Sequence, residues 1–163
     1  ALKGIFSNIV SESVSYVNAP LLAEARGITV RLSTDATSSE YRNLLRISGS
    51  LSSGATISVS GTLTGTKQTQ KIVEINGYDV ELPVAEPAIV MIYTDRPGIV
   101  AIYGKEFGEA GINIAGMQIA RQSKGGQALS VLTVDSPVPD ELLASVATAI
   151  KAELLREIDI VDA

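Results

Sequence analysis

The sequence predicts an α+β protein built from two successive units. Three observations carry this reading. Nearly half of the residues are apolar and mean hydropathy is positive, as in a folded chain. Two prolines within five residues, Pro83 and Pro87, interrupt strand pairing and divide the chain. Beyond them, the apolar pattern runs strand, helix, strand, strand, helix, strand.

The first unit, residues 1–86, opens with Leu2, Ile5, Phe6, Ile9 and Val10 at helical spacing. A helix at the start with no strand before it suggests that the chain is a fragment, the alternative being an ordinary N-terminal helix. Asn18 is placed to cap a shorter helix over 19–26, which Gly27 ends. Strands are expected at 28–33, 44–51, 56–64 and 71–75, with a polar loop at 35–43. Asn76-Gly77 is a strong hairpin signal, with 78–82 as the returning strand.

The second unit, 88–163, begins with a strand over 88–95 rich in Ile, Val and Tyr. A helix over 97–110 shows Ile99, Ile102, Tyr103 and Phe107 on one face, and Gly111 stops it. A strand over 112–122 changes apolar phase between Ile114 and Met117, which predicts a bulge beside Gly116. Lys124-Gly125-Gly126 turns the chain into a strand over 127–135. A helix over 139–151 carries Leu142, Leu143, Val146, Ala149 and Ile150 on one side, and a last strand covers 155–161. This β-α-β-β-α-β order predicts a ferredoxin-like antiparallel sheet with two helices on one face.

Composition narrows the function. Cysteine and histidine are both absent, so disulfides, Cys- or His-based metal sites, catalytic triads and a histidine base are excluded. No catalytic residue or metal site is expected. Net charge is −5 with no basic block and no tryptophan, which gives nucleic-acid binding little support. No apolar run approaches the roughly 18 residues that suggest a membrane span. Glycines 104, 108 and 111 lie on a helix and do not match a dinucleotide fingerprint. A cytoplasmic location fits, and the balance points to binding or regulation.

The candidate site is Tyr93-Thr94-Asp95-Arg96-Pro97-Gly98-Ile99 with Asn113-Ile114. Asp95 falls at or near a helix N-cap, with Pro97 in the first turn. Gly98 permits close approach to the first-turn amides, which with the helix dipole suit a carboxylate. Asp95 and Asn113 suit an ammonium group. Together these would form a site for a free amino acid. Spacing alone favours plainer roles: N-cap for Asp95, turn residue for Asn113, packing for Tyr93.

Residues 88–163, through Tyr93-Thr94-Asp95-Arg96-Pro97-Gly98-Ile99-Val100 and Gly111-Ile112-Asn113-Ile114-Ala115, resemble an ACT domain. The first unit resembles the intervening, allosteric substrate-binding domain of long bacterial D-3-phosphoglycerate dehydrogenases. The segments carrying this are Ala1-Leu2-Lys3-Gly4-Ile5-Phe6, Tyr16-Val17-Asn18-Ala19-Pro20, Ser60-Gly61-Thr62-Leu63 and Gln70-Lys71-Ile72-Val73-Glu74-Ile75-Asn76-Gly77. The resemblance implies the regulatory part of an enzyme that oxidises 3-phosphoglycerate with NAD in upstream domains, so this chain itself would hold no cofactor. It implies L-serine as effector at an interface between ACT domains of a homodimer or tetramer. Asp95 would hold the ammonium, the amides around Pro97, Gly98 and Ile99 the carboxylate, and Asn113 of a second copy would close the site. Tyr93, Arg96 and Ile114 fall in the same motifs. The resemblance also implies a weaker anion or phosphate site at Lys71 with Lys67 nearby. Strands 88–95 and 112–122 are the expected edges for pairing, while Arg121 and Lys124 are expected to face solvent. Two other readings are the regulatory subunit of an iron–sulfur L-serine dehydratase, whose Ser-Ser-Ser-His-Thr stretch is missing, and a stand-alone amino-acid-binding or dimerisation module.

Overall fold

The structure is a computed structural model that describes residues 1–7, 9–37, 40–84 and 87–158. The chain forms two compact units, residues 1–42 and 43–163.

The first unit holds helix α1 (Leu2–Ser7) and helix α2 (Ala19–Ala25), packed through Phe6, Ala19 and Ala23 with Leu2, Val10, Val14 and Leu22 alongside. Helix α1 is shorter than the apolar spacing predicts, and Ile5 and Ile9 are exposed. Asn18 is the N-cap residue of α2, but its side chain makes no cap bond. Its Oδ1 accepts from the Ser15 amide and its Nδ2 donates to the Ser13 carbonyl, which ties down the approach to the helix instead. Gly27, at φ 69°, ends α2: its amide donates to Glu24 and the Ile28 amide to Ala23. The strand expected at 28–33 does not form. Among the described residues this unit has no other strand to pair with, and Ile28, Val30 and Leu32 are exposed. In the polar loop Asp35 Oδ1 accepts from Thr37, while Ser38 and Ser39 lie outside the described residues.

The second unit contains two four-stranded antiparallel sheets. The first is a meander of β1 (Leu45–Ser50), β2 (Thr56–Thr64), β3 (Thr69–Ile75) and β4 (Tyr78–Pro83). Asn76 (φ 50°) and Gly77 (φ 80°) both take positive φ, the requirement of the tight hairpin turn their sequence signals. Glu74, only 9% exposed, pins this turn. Its carboxylate accepts from the hydroxyls of Ser58 and Ser60 at 2.5 Å each and from the Gly77 amide at 2.7 Å, with Arg46 Nε at 3.9 Å. Burial pushes the Glu74 carboxyl up, but the Ser58 and Ser60 hydroxyls, the Gly77 amide and the Arg46 charge together hold it below its ordinary value.

The second sheet has the order β6-β7-β5-β8, with every neighbouring pair antiparallel. Its elements are β5 (Ala88–Thr94), helix α3 (Ile99–Glu109), β6 (Ile114–Arg121), β7 (Gln127–Val134), helix α4 (Asp140–Ile150) and β8 (Leu154–Ile158). This is the predicted β-α-β-β-α-β arrangement, with the described part of the last strand ending at Ile158 and the expected residues 159–161 outside it. The register of β6 shifts between Ile114 and Gly116, where the phase change predicts a bulge. On one face Ile89, Met91 and Tyr93 of β5 and Leu132 of β7 pack against Ile99, Tyr103 and Phe107 of α3 and Val146 and Ile150 of α4. Ala147, not Ala149, completes the inward face of α4.

The other face is covered by the first sheet. Tyr78, Val80 and Leu82 alternate inward along β4 and pack on Ala88, Val90 and Ile92 of β5 and Leu129 and Val131 of β7. Both faces of β5 are therefore buried, which explains its unbroken apolar run. Pro83 ends β4, opposite Lys71 of β3, and Pro87 precedes β5, with Ala85 and Glu86 outside the described residues. One polar clamp adds to the contact. Gln118 of β6 accepts from the Glu81 amide at 2.7 Å and donates to the Glu81 carbonyl at 2.6 Å, reproducing a strand pairing on the outer edge of β4.

Two stability effects follow. Glu74→Gln leaves fewer acceptor positions for four donors and should cost about 1–3 kcal/mol near neutral pH. Because the folded carboxyl titrates below its unfolded value, this contribution is present above the ordinary carboxylate range and is lost as pH falls through the folded value. Urea unfolding should show the gap between wild type and variant closing in acid; a gap that stays constant contradicts the account. Gln118→Ala removes both bonds to the exposed Glu81 backbone, which water then replaces, and should cost about 1 kcal/mol in the same measurement.

Candidate functional site

The loop between β5 and α3 is built by opposed constraints. The backbone of Asp95 is fixed to the end of β7, where its amide donates to the Gly126 carbonyl at 2.7 Å. Helix α3 then starts from Gly98, whose φ of 91° is open to glycine and strained for other residues. Gly98, and not Asp95, is the N-cap, and among the described residues no side chain caps the first-turn amides. The Asp95 carboxylate is thereby free of the helix. Its Oδ2 instead accepts from Arg121 Nη1 at 3.2 Å, with the Asp95 side chain 26% exposed and that of Arg121 58% exposed. Arg121, expected to face solvent, does so and is also the partner of the leading candidate residue.

The other predicted residues separate into groups. Pro97 and Gly98 are exposed beside Asp95, while Ile99 is buried in the helix–sheet core. Arg96 turns away: its Nη2 donates to the Ile150 carbonyl at 3.4 Å, at the last turn of α4, where a cation is favoured by the helix dipole. Tyr93 is 2% exposed and its hydroxyl is bonded to Ser130 Oγ at 2.6 Å. Within this chain it is a core residue and offers no surface to a ligand. The neighbouring Tyr103 hydroxyl, which donates to Met117 Sδ at 3.1 Å, is pushed up in pKa chiefly by burial.

Asn113 and Asp95 lie at opposite ends of the same sheet. Thr94 is opposite Gln127 at one end of β7, and Ile114 is opposite Val134 at the other. An eight-residue strand separates them by about 25 Å. Asn113 Nδ2 donates to Asp135 Oδ2 at 2.7 Å, and Ile114 is half-buried against the core. One chain therefore does not bring Asp95 and Asn113 together.

The expected edges are corrected in one case. Strand β5 is interior, between β7 and β8, because its two apolar faces put it at the centre of the sheet. Strand β6 is an edge. Met117 and Ile119 on it are 48% and 45% exposed, and Val100 on the first turn of α3 is 42% exposed.

The proposed anion residues do not form a free cationic pair. Lys71 Nζ is held by Glu81 Oε2 at 2.8 Å, which also draws the Glu81 carboxyl below its ordinary value, and Lys67 is exposed in the turn between β2 and β3. Among the described residues no group of three or more acidic side chains is placed to hold a metal ion. No described helix is long and apolar enough to cross a membrane.

The second sheet, with its two helices on one face and an exposed β5–α3 turn, is an ACT fold, the fold of small regulatory domains. Residues 1–76 match the family described as D-3-phosphoglycerate dehydrogenase intervening domain. The chain is 35% identical over 160 residues to a D-3-phosphoglycerate dehydrogenase of Mycobacterium tuberculosis (strain H37Rv), covering 98% of this chain and 30% of that protein. It is 32% identical over 146 residues to that of Synechocystis (90% and 26%) and 31% identical over 145 residues to that of Methanocaldococcus jannaschii (89% and 27%). The chain corresponds to the C-terminal part of D-3-phosphoglycerate dehydrogenases, with a match to their intervening domain followed by the ACT region. It spans less than a third of the length of these relatives.

Proposed function

We propose that this chain is the regulatory part of a cytoplasmic D-3-phosphoglycerate dehydrogenase, binding L-serine between two ACT domains and holding subunits together. Residues 1–86 would be the intervening domain and 88–163 the ACT domain. NAD and 3-phosphoglycerate would be handled by domains outside this sequence.

The observation that carries the reading is the position of Asp95 beside an open edge strand. The uncapped amides of α3 offer a carboxylate site, and Asp95 offers an ammonium site a few residues earlier. Strand β6 exposes Met117 and Ile119, an apolar edge that gains by pairing. Two copies of β6 related by a two-fold axis would pair antiparallel. Centred on the strand, that pairing sets Ile114 of one copy opposite Arg121 of the other. Asn113 of the second copy then approaches Asp95 of the first. The separation of these residues within one chain is what a site shared across two copies requires.

Isothermal titration with L-serine, with glycine and D-serine as controls, tests this. Selective binding is expected at one or two sites per dimer. Asp95→Ala removes a charged partner of the ammonium and should weaken binding about ten- to a hundred-fold while circular dichroism stays unchanged. Unchanged affinity in that variant would overturn the assignment.

A further inference from the structure

Asp95 carries a cation of its own chain beside it. Arg121 Nη1 stands 3.2 Å from its Oδ2, and among the described residues no other cation lies within ion-pair distance of this carboxylate. Arg96, next in sequence, is drawn off to the Ile150 carbonyl, and Lys105 on α3 pairs with Glu109. The sheet sets both members of the pair. Arg121 is opposite Ala128 on β7, and the Asp95 amide is bonded to the Gly126 carbonyl just before that strand begins. Gly126 is itself confined, since a Cβ there would stand 2.5 Å from Ser123 Oγ. The bond uses one oxygen and one nitrogen. Asp95 Oδ1 and Arg121 Nε and Nη2 have no hydrogen-bond partner among the described residues, and the two side chains are 26% and 58% exposed.

We propose that Arg121 is the residue that makes the site select a zwitterion, a free α-amino acid, over a simple amine. This rests on the effector reading above. A lone carboxylate attracts any ammonium compound. With Arg121 beside it, Asp95 attracts an ammonium less, because the guanidinium repels that charge. The same guanidinium attracts a carboxylate, so the loss is offset only for a ligand that carries both groups. An α-amino acid bears them on one carbon. Its ammonium reaches Oδ1 while the open donors of Arg121 face its carboxylate, and the bond to Oδ2 stays in place. The uncapped amides of α3 favour the same carboxylate. Arg121 thus sets which ligands are accepted, and Asp95 supplies the ammonium contact.

The test compares L-serine with ethanolamine, which keeps the ammonium and the hydroxyl and lacks the carboxylate. NMR titration of this chain follows both ligands, because amide shifts report weak as well as tight binding. The quantity read is the ratio of the ethanolamine to the L-serine dissociation constant. An effect of substitution on the fold, on the pairing of copies or on the orientation of Asp95 is common to both ligands and cancels in that ratio. What remains is the interaction of residue 121 with the carboxylate.

Arg121→Gln should lower the ratio about two- to five-fold, the range of an exposed ion pair. Arg121→Lys keeps the cation and should hold the ratio within about two-fold of wild type. An unchanged ratio in Arg121→Gln, an equal fall in Arg121→Lys, or ethanolamine failing to bind Arg121→Gln would overturn the assignment of selectivity to Arg121 and leave serine binding standing. Absence of L-serine binding to wild type would instead overturn the effector reading, and this inference with it.

Discussion

The burial of β5 on both faces is the constraint on which the rest of the second unit depends. Ala88 to Tyr93 are buried without a break, alternately against α3 and α4 and against β4. A strand of that kind cannot slip by one residue without moving a whole set of side chains into the wrong core. Its register therefore fixes where the strand ends. Asp95 emerges one residue past that end, bonded by its backbone to Gly126, and the start of α3 follows. The first sheet is thus more than a neighbour of the ACT region. Tyr78, Val80 and Leu82 supply a face that the ACT sheet needs, and Gln118 fastens the edge of β4 to the strand proposed to meet a second copy.

Much of this was legible in the chain. The order of the second unit followed from apolar period and from Gly111, which ends α3 at φ 74° with the Ile112 amide bonded to the Phe107 carbonyl. Asn76-Gly77 and the bulge beside Gly116 were also local signals. What local pattern did not carry was pairing. The segment 28–33 has strand alternation, but a strand exists only with a partner. The apolar run of β5 does not by itself say edge or centre, and its burial on both faces makes it a central strand. An acidic residue ahead of a helix start signals an N-cap at Asp95, but Gly98 at positive φ takes that position three residues on.

The polar partners at the site are likewise set by strand pairing. Arg121 lies opposite Ala128, which lies opposite Tyr93, so it meets Asp95 only through the register of three strands. Asp135 meets Asn113 through the same sheet at its other end. Tyr93 carried a family motif, yet its even spacing with Ile89 and Met91 already placed it on the helix face. Side chains that answer to strand periodicity went to the core, and those that answer to sheet register formed the polar pairs.

Native-state hydrogen exchange on the amides of β4 and β5 tests the central claim most directly. If β5 depends on cover from both faces, the two strands should open together, at the free energy of global unfolding, and show equal protection. Exchange of the β4 amides at much lower free energy, with β5 still fully protected, would mean that the ACT sheet stands without its second face and would contradict the account.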